Sequence, residues 1–147
     1  MATVLASTRS DRAVAYRGRD GAPIAIVIQR QVAASRAGVA FTRDPISGEN
    51  VVVIECVFGF GEELVGGRAT PDRYRVSRSG AVSARLGPKD GSNRLLRTLR
   101  DDEACAVANA AWRAEKGFGL PVDLEFCFEG PTLWLVQCRP ITTQHRS

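Results

Sequence analysis

The sequence has few of the residues that most often carry catalysis or hold metals. Among its 147 residues there is one histidine, His145, and there are two lysines, so eighteen of the twenty basic residues are arginine. The four cysteines are Cys56, Cys105, Cys127 and Cys138. No two of them have the two-residue spacing of a zinc or redox motif. We therefore predict no cysteine or histidine metal site, and we expect small buried thiols in a reducing cytoplasm.

Long apolar runs and one-sided charge are also lacking. No apolar run approaches the roughly 20 residues that a membrane-spanning helix needs. The first residues, MATVLASTRSDRAV, have no apolar core after a basic start, which predicts no secretory signal, no membrane partner and a cytoplasmic location. The net charge of +4 comes from arginines interleaved with acids. Because there is no basic stripe, nucleic acid is not an expected partner, although the charge would help attract a smaller polyanion.

The first two thirds of the chain contain strand patterns. PIAIVIQRQV (Pro23–Val32) is an apolar, β-branched run that predicts a buried strand. Gly38–Thr42 and Val51–Val57 are two further predicted strands, and the turn residues between them predict an antiparallel hairpin. RYRVSRSGAVSARL predicts a second hairpin that turns at Ser79-Gly80.

The pattern then changes to the period of a helix. From Asp101 to Lys116, apolar residues recur three and four positions apart. Asp101 or Asp102 is the predicted N-cap, and Gly117 is the predicted end. With a last hairpin after this helix, the order of elements predicts one α+β domain, an antiparallel sheet with packed helices.

The last hairpin, DLEFCFEGPTLWLVQCRPIT, places polar residues at alternating positions. Alternation in Val122–Phe128 and Leu133–Arg139 predicts that even-numbered residues of both strands, Trp134 and Val136 included, face the core. A three-residue loop of residues 130–132 would give that register. Glu125 would then lie across from Gln137, and Asp123 across from Arg139.

The polar face of this hairpin has two interpretations. Polar sheet faces are common, and a solvated face with one Asp123–Arg139 salt bridge would explain the pattern. The functional interpretation is a site for Mg²⁺ and phosphate, because carboxylate and amide oxygens are hard ligands and arginine grips phosphate oxygens. Glu125 faces the neutral Gln137, so Glu125 is the carboxylate that still needs a cation.

Five stretches, taken in order, resemble a known family. They are SDRAVAYR, VIQRQV, AGVAFTRDPISG, GFGEELVGGRATPDRY and DLEFCFEGPTLWLVQCRPIT. In this order they are similar to the carboxyl-terminal part of the ATP-grasp, nucleotide-binding domain of phosphoenolpyruvate synthase, pyruvate phosphate dikinase and rifampin phosphotransferase. The resemblance covers nearly the whole chain and is specific as a combination, whereas no single stretch would be.

The resemblance implies the fold and the site. In such enzymes ATP lies between two lobes, and its terminal or pyrophosphoryl part passes to a histidine on a separate swivelling domain. The family's D-x-E glutamate corresponds to Glu125, and its Q-x-R-P glutamine and arginine correspond to Gln137 and Arg139. By resemblance, Glu125 and Gln137 hold Mg²⁺, Arg139 meets the phosphates, and Gln29 lies on the adenine side. The expected cofactors are ATP and Mg²⁺.

Other matched positions leave alternatives open. The segment GFGEELVGG either presents backbone amides to phosphate or forms a flexible turn before a short helix. Arg43 and Arg68 lie either at a phosphate rim or on a solvated surface. Gln31 stands where the family usually has methionine, which changes the packing expected near the base.

The resemblance also implies missing parts. A lobe with a phosphate-binding lysine and arginine precedes the equivalent of Ser10 in the family, and the histidine domain follows RPIT. We therefore expect residues 1–147 to be one partial ATP-grasp domain, without the amino-terminal lobe and the phosphohistidine domain. His145 lacks the glycine and serine or cysteine context of the family histidine and is expected to be inert.

Three functional outcomes remain open from the sequence. The first is the Mg-dependent, ATP-binding portion of a phosphoenolpyruvate-synthase-like phosphotransferase, inactive alone and completed by a separate lobe and histidine domain. The second is a non-catalytic interaction module with a vestigial nucleotide site, which binds a protein or itself through its exposed lobe face. The third is a truncated remnant that folds poorly.

Overall fold

A computed structural model describes residues 30–60, 70–88 and 96–141, and it contains a six-stranded antiparallel sheet. The strands are β1 Arg36–Phe41, β2 Val52–Phe58, β3 Asp72–Val76, β4 Val82–Arg85, β5 Val122–Glu129 and β6 Thr132–Pro140. Their order across the sheet is β4-β3-β2-β1-β5-β6. In the described ranges one helix, α1 (Asp101–Phe118), accompanies the sheet. The predicted antiparallel α+β arrangement is confirmed, but the prediction of more than one helix packed on the sheet is not confirmed in these ranges.

The core lies between α1 and one face of the sheet, which we call the helix face. Strand alternation brings Ile54, Tyr74, Leu124 and Phe126 to this face, where they are buried. Four apolar residues of α1 that follow the predicted helical spacing are fully buried in the same cluster, and Trp112 packs against it partly buried. These four are Ala104, Val107, Ala108 and Ala111, and Ala110 of α1 also belongs to the cluster.

The ends of α1 differ from the prediction. Arg100, in extended conformation, is the N-cap, one residue before the predicted aspartates. The Glu103 carboxylate accepts the Arg100 backbone N–H at 2.9 Å, so the cap comes from the third helical residue. The helix passes through Gly117 and stops at Gly119, whose φ of 69° closes the last turn in the left-handed region that glycine favours.

Both internal hairpins are confirmed. Strands β1 and β2 pair antiparallel, and β3 and β4 pair antiparallel around a turn at residues 77–81. The predicted strand Pro23–Val32 lies mostly outside the described residues, and its last three residues are not in a strand. Within the described ranges no helix is both long enough and apolar enough to cross a bilayer.

A buried aspartate joins β3 to the segment before α1. The Asp72 carboxylate accepts the Thr98 backbone N–H at 2.9 Å, the Thr98 hydroxyl at 3.0 Å and the Gly87 N–H at 2.9 Å. The Tyr74 hydroxyl accepts the Leu99 N–H at 2.8 Å. Burial raises the pKa of Tyr74, so the phenol stays neutral in this network. The aspartate and tyrosine of PDRY are therefore structural residues of the helix face.

Candidate functional site

The last hairpin has the predicted pairing where the polar residues lie. Glu125 is directly opposite Gln137, and Asp123 is directly opposite Arg139. Cross-strand neighbours of this kind have Cβ atoms about 4.5–5.5 Å apart. The four side chains therefore form one compact patch on the side of the sheet away from α1.

The turn of the hairpin was predicted wrongly. Glu129 pairs with Thr132, so the turn has two residues, Gly130 and Pro131, instead of three. Gly130 has a φ of 58°, which suits glycine at this tight position. The two-residue turn shifts the strand register near the loop by one residue from the predicted register. A β-bulge between Glu125 and Phe126 restores the predicted register for the residues farther from the loop.

The bulge also changes which side chains face the core. Val136 is the extra residue, and Trp134 pairs with Cys127, on the face that carries Glu125. Leu133 and Leu135 take the helix face in their place. The prediction that Trp134 and Val136 face the core is therefore wrong. It assumed that even-numbered residues face the core along the whole of β6, whereas the bulge reverses this assignment on the loop side. Bulges are common beside functional sites, where they re-aim side chains.

Asp123 and Arg139 form the predicted salt bridge. The Arg139 Nε atom lies 2.9 Å and 2.8 Å from the two carboxylate oxygens of Asp123. The arginine side chain is 66% exposed, so the pair contributes little to stability, about 0–1 kcal/mol. The contact holds the Nε edge of the guanidinium against Asp123.

Glu125 retains its full acceptor capacity. It is partly buried, and no hydrogen bond or ion pair joins it to any residue within 30–60, 70–88 or 96–141. Gln137 beside it is exposed. A carboxylate next to an amide oxygen suits Mg²⁺, which takes one or two protein ligands and completes its shell with phosphate and water. Within the described ranges, no group of three histidine, cysteine or acidic residues is arranged to hold a metal ion.

The sequence patterns missed a second acid on the same face. Glu55 of β2 pairs with Val39 of β1, and Val39 pairs with Glu125 on the other side. Two strand spacings of about 4.8 Å place the backbones of the two glutamates about 10 Å apart. We call this side of the sheet, defined by Glu55 and Glu125, the carboxylate face. A lone acid within the apolar run VVVIECVF was the available signal for it.

Arginines occupy the far end of the carboxylate face. Arg73 lies across from Glu55, and Arg75 binds the carboxylates of Asp44 and Glu49. Burial alone would raise the pKa of Asp44, but the backbone N–H groups of residues 46 and 47 and the Arg75 guanidinium lower it overall. Asp44 therefore anchors the β1–β2 turn to β3 as a charged group.

The other positions singled out in the sequence lie partly inside and partly outside the described ranges. Gln29, Arg68, His145 and most of GFGEELVGG lie outside the described residues. Gln31 and Arg43 are exposed residues outside the strands. The roles given to these residues remain predictions.

The predicted burial of the cysteines is confirmed for two of the four. All four are free thiols, two buried and two partly buried. Burial raises the pKa of Cys56 to about 12, and burial together with Glu129 raises the pKa of Cys127 on the carboxylate face. Protonated thiols are poor nucleophiles and poor metal ligands, so neither is a candidate for site chemistry.

Comparison with known proteins identifies the family. The family described as pyruvate phosphate dikinase, AMP/ATP-binding domain, matches residues 1–147. The chain belongs to this family, and the resemblance seen in the sequence motifs is confirmed.

Individual relatives carry different enzyme names. The chain is 37% identical to a probable phosphoenolpyruvate synthase of Archaeoglobus fulgidus over 90% of its own length and 21% of the relative's. It is 35% identical to rifampicin phosphotransferase of Bacillus cereus over 94% of its length and 18% of the relative's. It is 33% identical to the prodigiosin synthesizing transferase PigC of Serratia marcescens over 95% and 18%. The chain thus spans about a fifth of the length of these relatives.

Proposed function

We propose that the chain is the Mg-dependent, ATP-binding portion of a phosphoenolpyruvate-synthase-like phosphotransferase, built on the carboxyl-terminal part of an ATP-grasp fold. The single observation that carries this proposal is Glu125, a carboxylate left without a described partner directly beside Gln137. Membership of an AMP/ATP-binding domain family supports the choice of nucleotide.

Each polar residue of the hairpin has a proposed role. Glu125 and Gln137 would hold Mg²⁺ through one carboxylate and one amide oxygen, and the ion would neutralise phosphate charge when bound. Arg139, oriented by Asp123 at 2.8–2.9 Å, would contact phosphate oxygens. The backbones of Glu55 and Glu125 lie about 10 Å apart on the same face, and Glu55 would face the phosphates through water. Gln29 is proposed for the adenine side.

The phosphoryl acceptor is proposed to lie outside residues 1–147. In the family resemblance the acceptor is a histidine on a swivelling domain, and the chain covers about a fifth of its relatives' length. The complete reaction would therefore need that histidine domain and an amino-terminal lobe. We propose that both act together with this chain in the cytoplasm.

Equilibrium dialysis of radiolabelled ATP against the full 147-residue chain tests the proposal. ATP should be retained with Mg²⁺ in excess, and retention should fall at least tenfold when EDTA removes the ion. A separately made amino-terminal lobe should increase retention further, because it supplies further charged donors worth about 1.5–3 kcal/mol each. Retention that is the same with Mg²⁺ and with EDTA would contradict the proposal.

A second candidate function, association through the outer strand, has its own supporting observation. In β6, the outermost strand of the described sheet, Trp134, Leu135 and Val136 are 38%, 52% and 50% exposed. Consecutive exposed apolar residues on an outer strand favour pairing with another chain or domain.

Sedimentation velocity separates the two candidate functions. Replacing Val136, the bulge residue, with lysine should reduce any self-association while leaving the Glu125–Gln137 pair in place. A monomer at all concentrations in the unmodified chain would count against self-association and leave the nucleotide proposal intact.

A further inference from the structure

A groove lies on the helix side of the sheet, away from the carboxylate face. It has a volume of about 760 Å³ and opens to solvent between α1, the β3–β4 turn and the start of β6. Its lining includes Trp112, Leu133 and three cationic residues, which are Arg78, Arg113 and Lys116. None of these residues belongs to the hairpin patch proposed for the nucleotide.

One cation of the groove is already neutralised, and the other two are not. Arg78 Nη2 lies 2.6 Å from Glu115 Oε2, and its guanidinium sits 4.9 Å from the Trp112 ring centroid. Arg113 and Lys116 are exposed and form no ion pair within the described ranges. The groove therefore carries two uncompensated positive charges beside a partly apolar floor.

The indole of Trp112 gives a second indication. Its Nε1–H is buried and has no hydrogen-bond acceptor among the described residues. Leaving a buried donor unpaired is costly, and buried polar groups in native proteins nearly always find a partner. Trp112 lines the groove, so a rotation of the indole that exposes this N–H would let a carboxylate or carbonyl oxygen of an occupant accept it.

The shape of the groove favours a peptide over a small molecule. The α1 residues that line it include Ala106, Asn109, Arg113 and Lys116, which are three or four positions apart and so follow one side of the helix. Ten residues of helix rise about 15 Å, the length of about five residues of extended peptide. Small-molecule sites instead enclose most of the ligand surface, whereas this groove is open to solvent along its length.

We infer that this groove binds an extended acidic peptide segment, with carboxylates at Arg113 and Lys116 and an apolar side chain against Leu133. The inference is independent of the proposed nucleotide site, because the two lie on opposite sides of the sheet. The expected ligand is a segment of about five residues that carries at least two acidic side chains.

Fluorescence anisotropy with a labelled hexapeptide of alternating glutamate and leucine tests the inference on the full chain. The test variant is Arg113→Gln with Lys116→Gln, because glutamine keeps the helix propensity of both positions. The control is Arg43→Gln with Arg85→Gln, which removes the same charge from exposed positions outside the groove. Circular dichroism would verify that both variants fold.

The expected result is saturable binding that weakens at least tenfold in the groove variant and less than twofold in the control. Binding should also weaken as salt rises, since exposed charges are screened. The inference is overturned by equal loss in both variants, by equal binding of a glutamine–leucine peptide, or by tighter binding of a single-stranded oligonucleotide of the same charge. Mg-ATP retention should be unchanged in the groove variant, so the peptide result does not depend on the nucleotide proposal.

Discussion

The two faces of the sheet use their polar residues in different ways. On the helix face, Asp72 and Tyr74 are buried and bonded to backbone groups of Thr98 and Leu99. On the carboxylate face, Glu125 is partly accessible and has no partner within the described ranges. Two acidic residues of one sheet, a few strands apart, therefore differ in role. Asp72 stabilises the fold on the helix face, and Glu125 remains free to bind a ligand on the carboxylate face.

The difference shows how a site can be recognised before a ligand is seen. A buried carboxylate surrounded by donors, such as Asp72, is explained by the fold itself. A carboxylate beside an amide and an oriented arginine, with no cation of its own, is not explained by the fold. Hydrogen-bond satisfaction therefore separates Asp72 from Glu125 more clearly than residue type does.

The largest effect is expected from crowding the centre of the helix face. A methyl group on Gly38 would overlap the Glu55 carbonyl oxygen and come within 2.9 Å of Phe126 and 3.0 Å of Cys56. We expect Gly38→Ala to lower the free energy of unfolding by about 3 kcal/mol. Urea denaturation measures this change. Gly117→Ala, in a helical position with open space, is the control and should be neutral or slightly stabilising.

A smaller loss should follow Asp72→Asn. All the described partners of Asp72 are donors, so an amide NH₂ in place of one oxygen would face a donor. We expect a loss of about 2–3 kcal/mol in the free energy of unfolding, measured by urea denaturation. Mg-dependent nucleotide binding at saturating protein should persist. A variant as stable as the wild type would mean that the helix face does not depend on this carboxylate.

The third change, Asp44→Asn, should produce a pH-dependent loss of about 1–2 kcal/mol in the free energy of unfolding at pH 7. The pKa of Asp44 is lowered in the folded state, so its contribution is present above the unfolded value of about 3.9 and is lost as pH falls through the folded value. The difference between variant and wild type should therefore shrink from pH 7 to pH 3 in urea titrations. A constant difference would show that the charge of Asp44 is not what anchors the turn.

Thiol labelling gives the smallest predicted effect. Cys56 is fully buried and its pKa is raised to about 12, so it should react with a disulfide reagent only after unfolding. Cys105 is partly buried and should react earlier. Mass spectrometry of the labelled peptides distinguishes the two, and rapid labelling of Cys56 in native protein would indicate a looser core on the helix face.

Much of the site's arrangement could be predicted because strand alternation fixes it. Alternation in β5 set which residues share a face with Glu125. The predicted pairing with Gln137 is also found, although the three-residue loop that gave it is wrong, because the two-residue turn and the bulge together restore that register. All four residues of LWLV in β6 are apolar, so the alternation predicted for this strand did not distinguish its faces there, and neither the bulge at Val136 nor the position of Trp134 could be predicted. An apolar run such as this one fits the strand register of a two-residue turn as well as that of a three-residue turn, so the register cannot be chosen until the turn length is known.

Contacts between distant residues account for the other differences. The bonds from Asp72 reach Thr98, 26 positions away, and no local pattern predicts which buried residue supplies those donors. Glu55 and Glu125 both pair with Val39, one from each side, because β1 lies between β2 and β5 in the sheet. This arrangement depends on the strand order. The sequence predicted the hairpins one by one but not their order across the sheet.

Calorimetric titration of Mg-ATP into Glu125→Gln is the most direct test of the carboxylate face. Glu129→Gln is the matched control, because it removes the same charge from the same face of β5 while its amide oxygen can still accept the Ala33 N–H. We predict that Glu125→Gln weakens Mg-ATP binding at least tenfold with the free energy of unfolding unchanged, and that Glu129→Gln changes the affinity less than twofold. Equal affinities for Glu125→Gln and the wild-type chain would contradict the proposed nucleotide site.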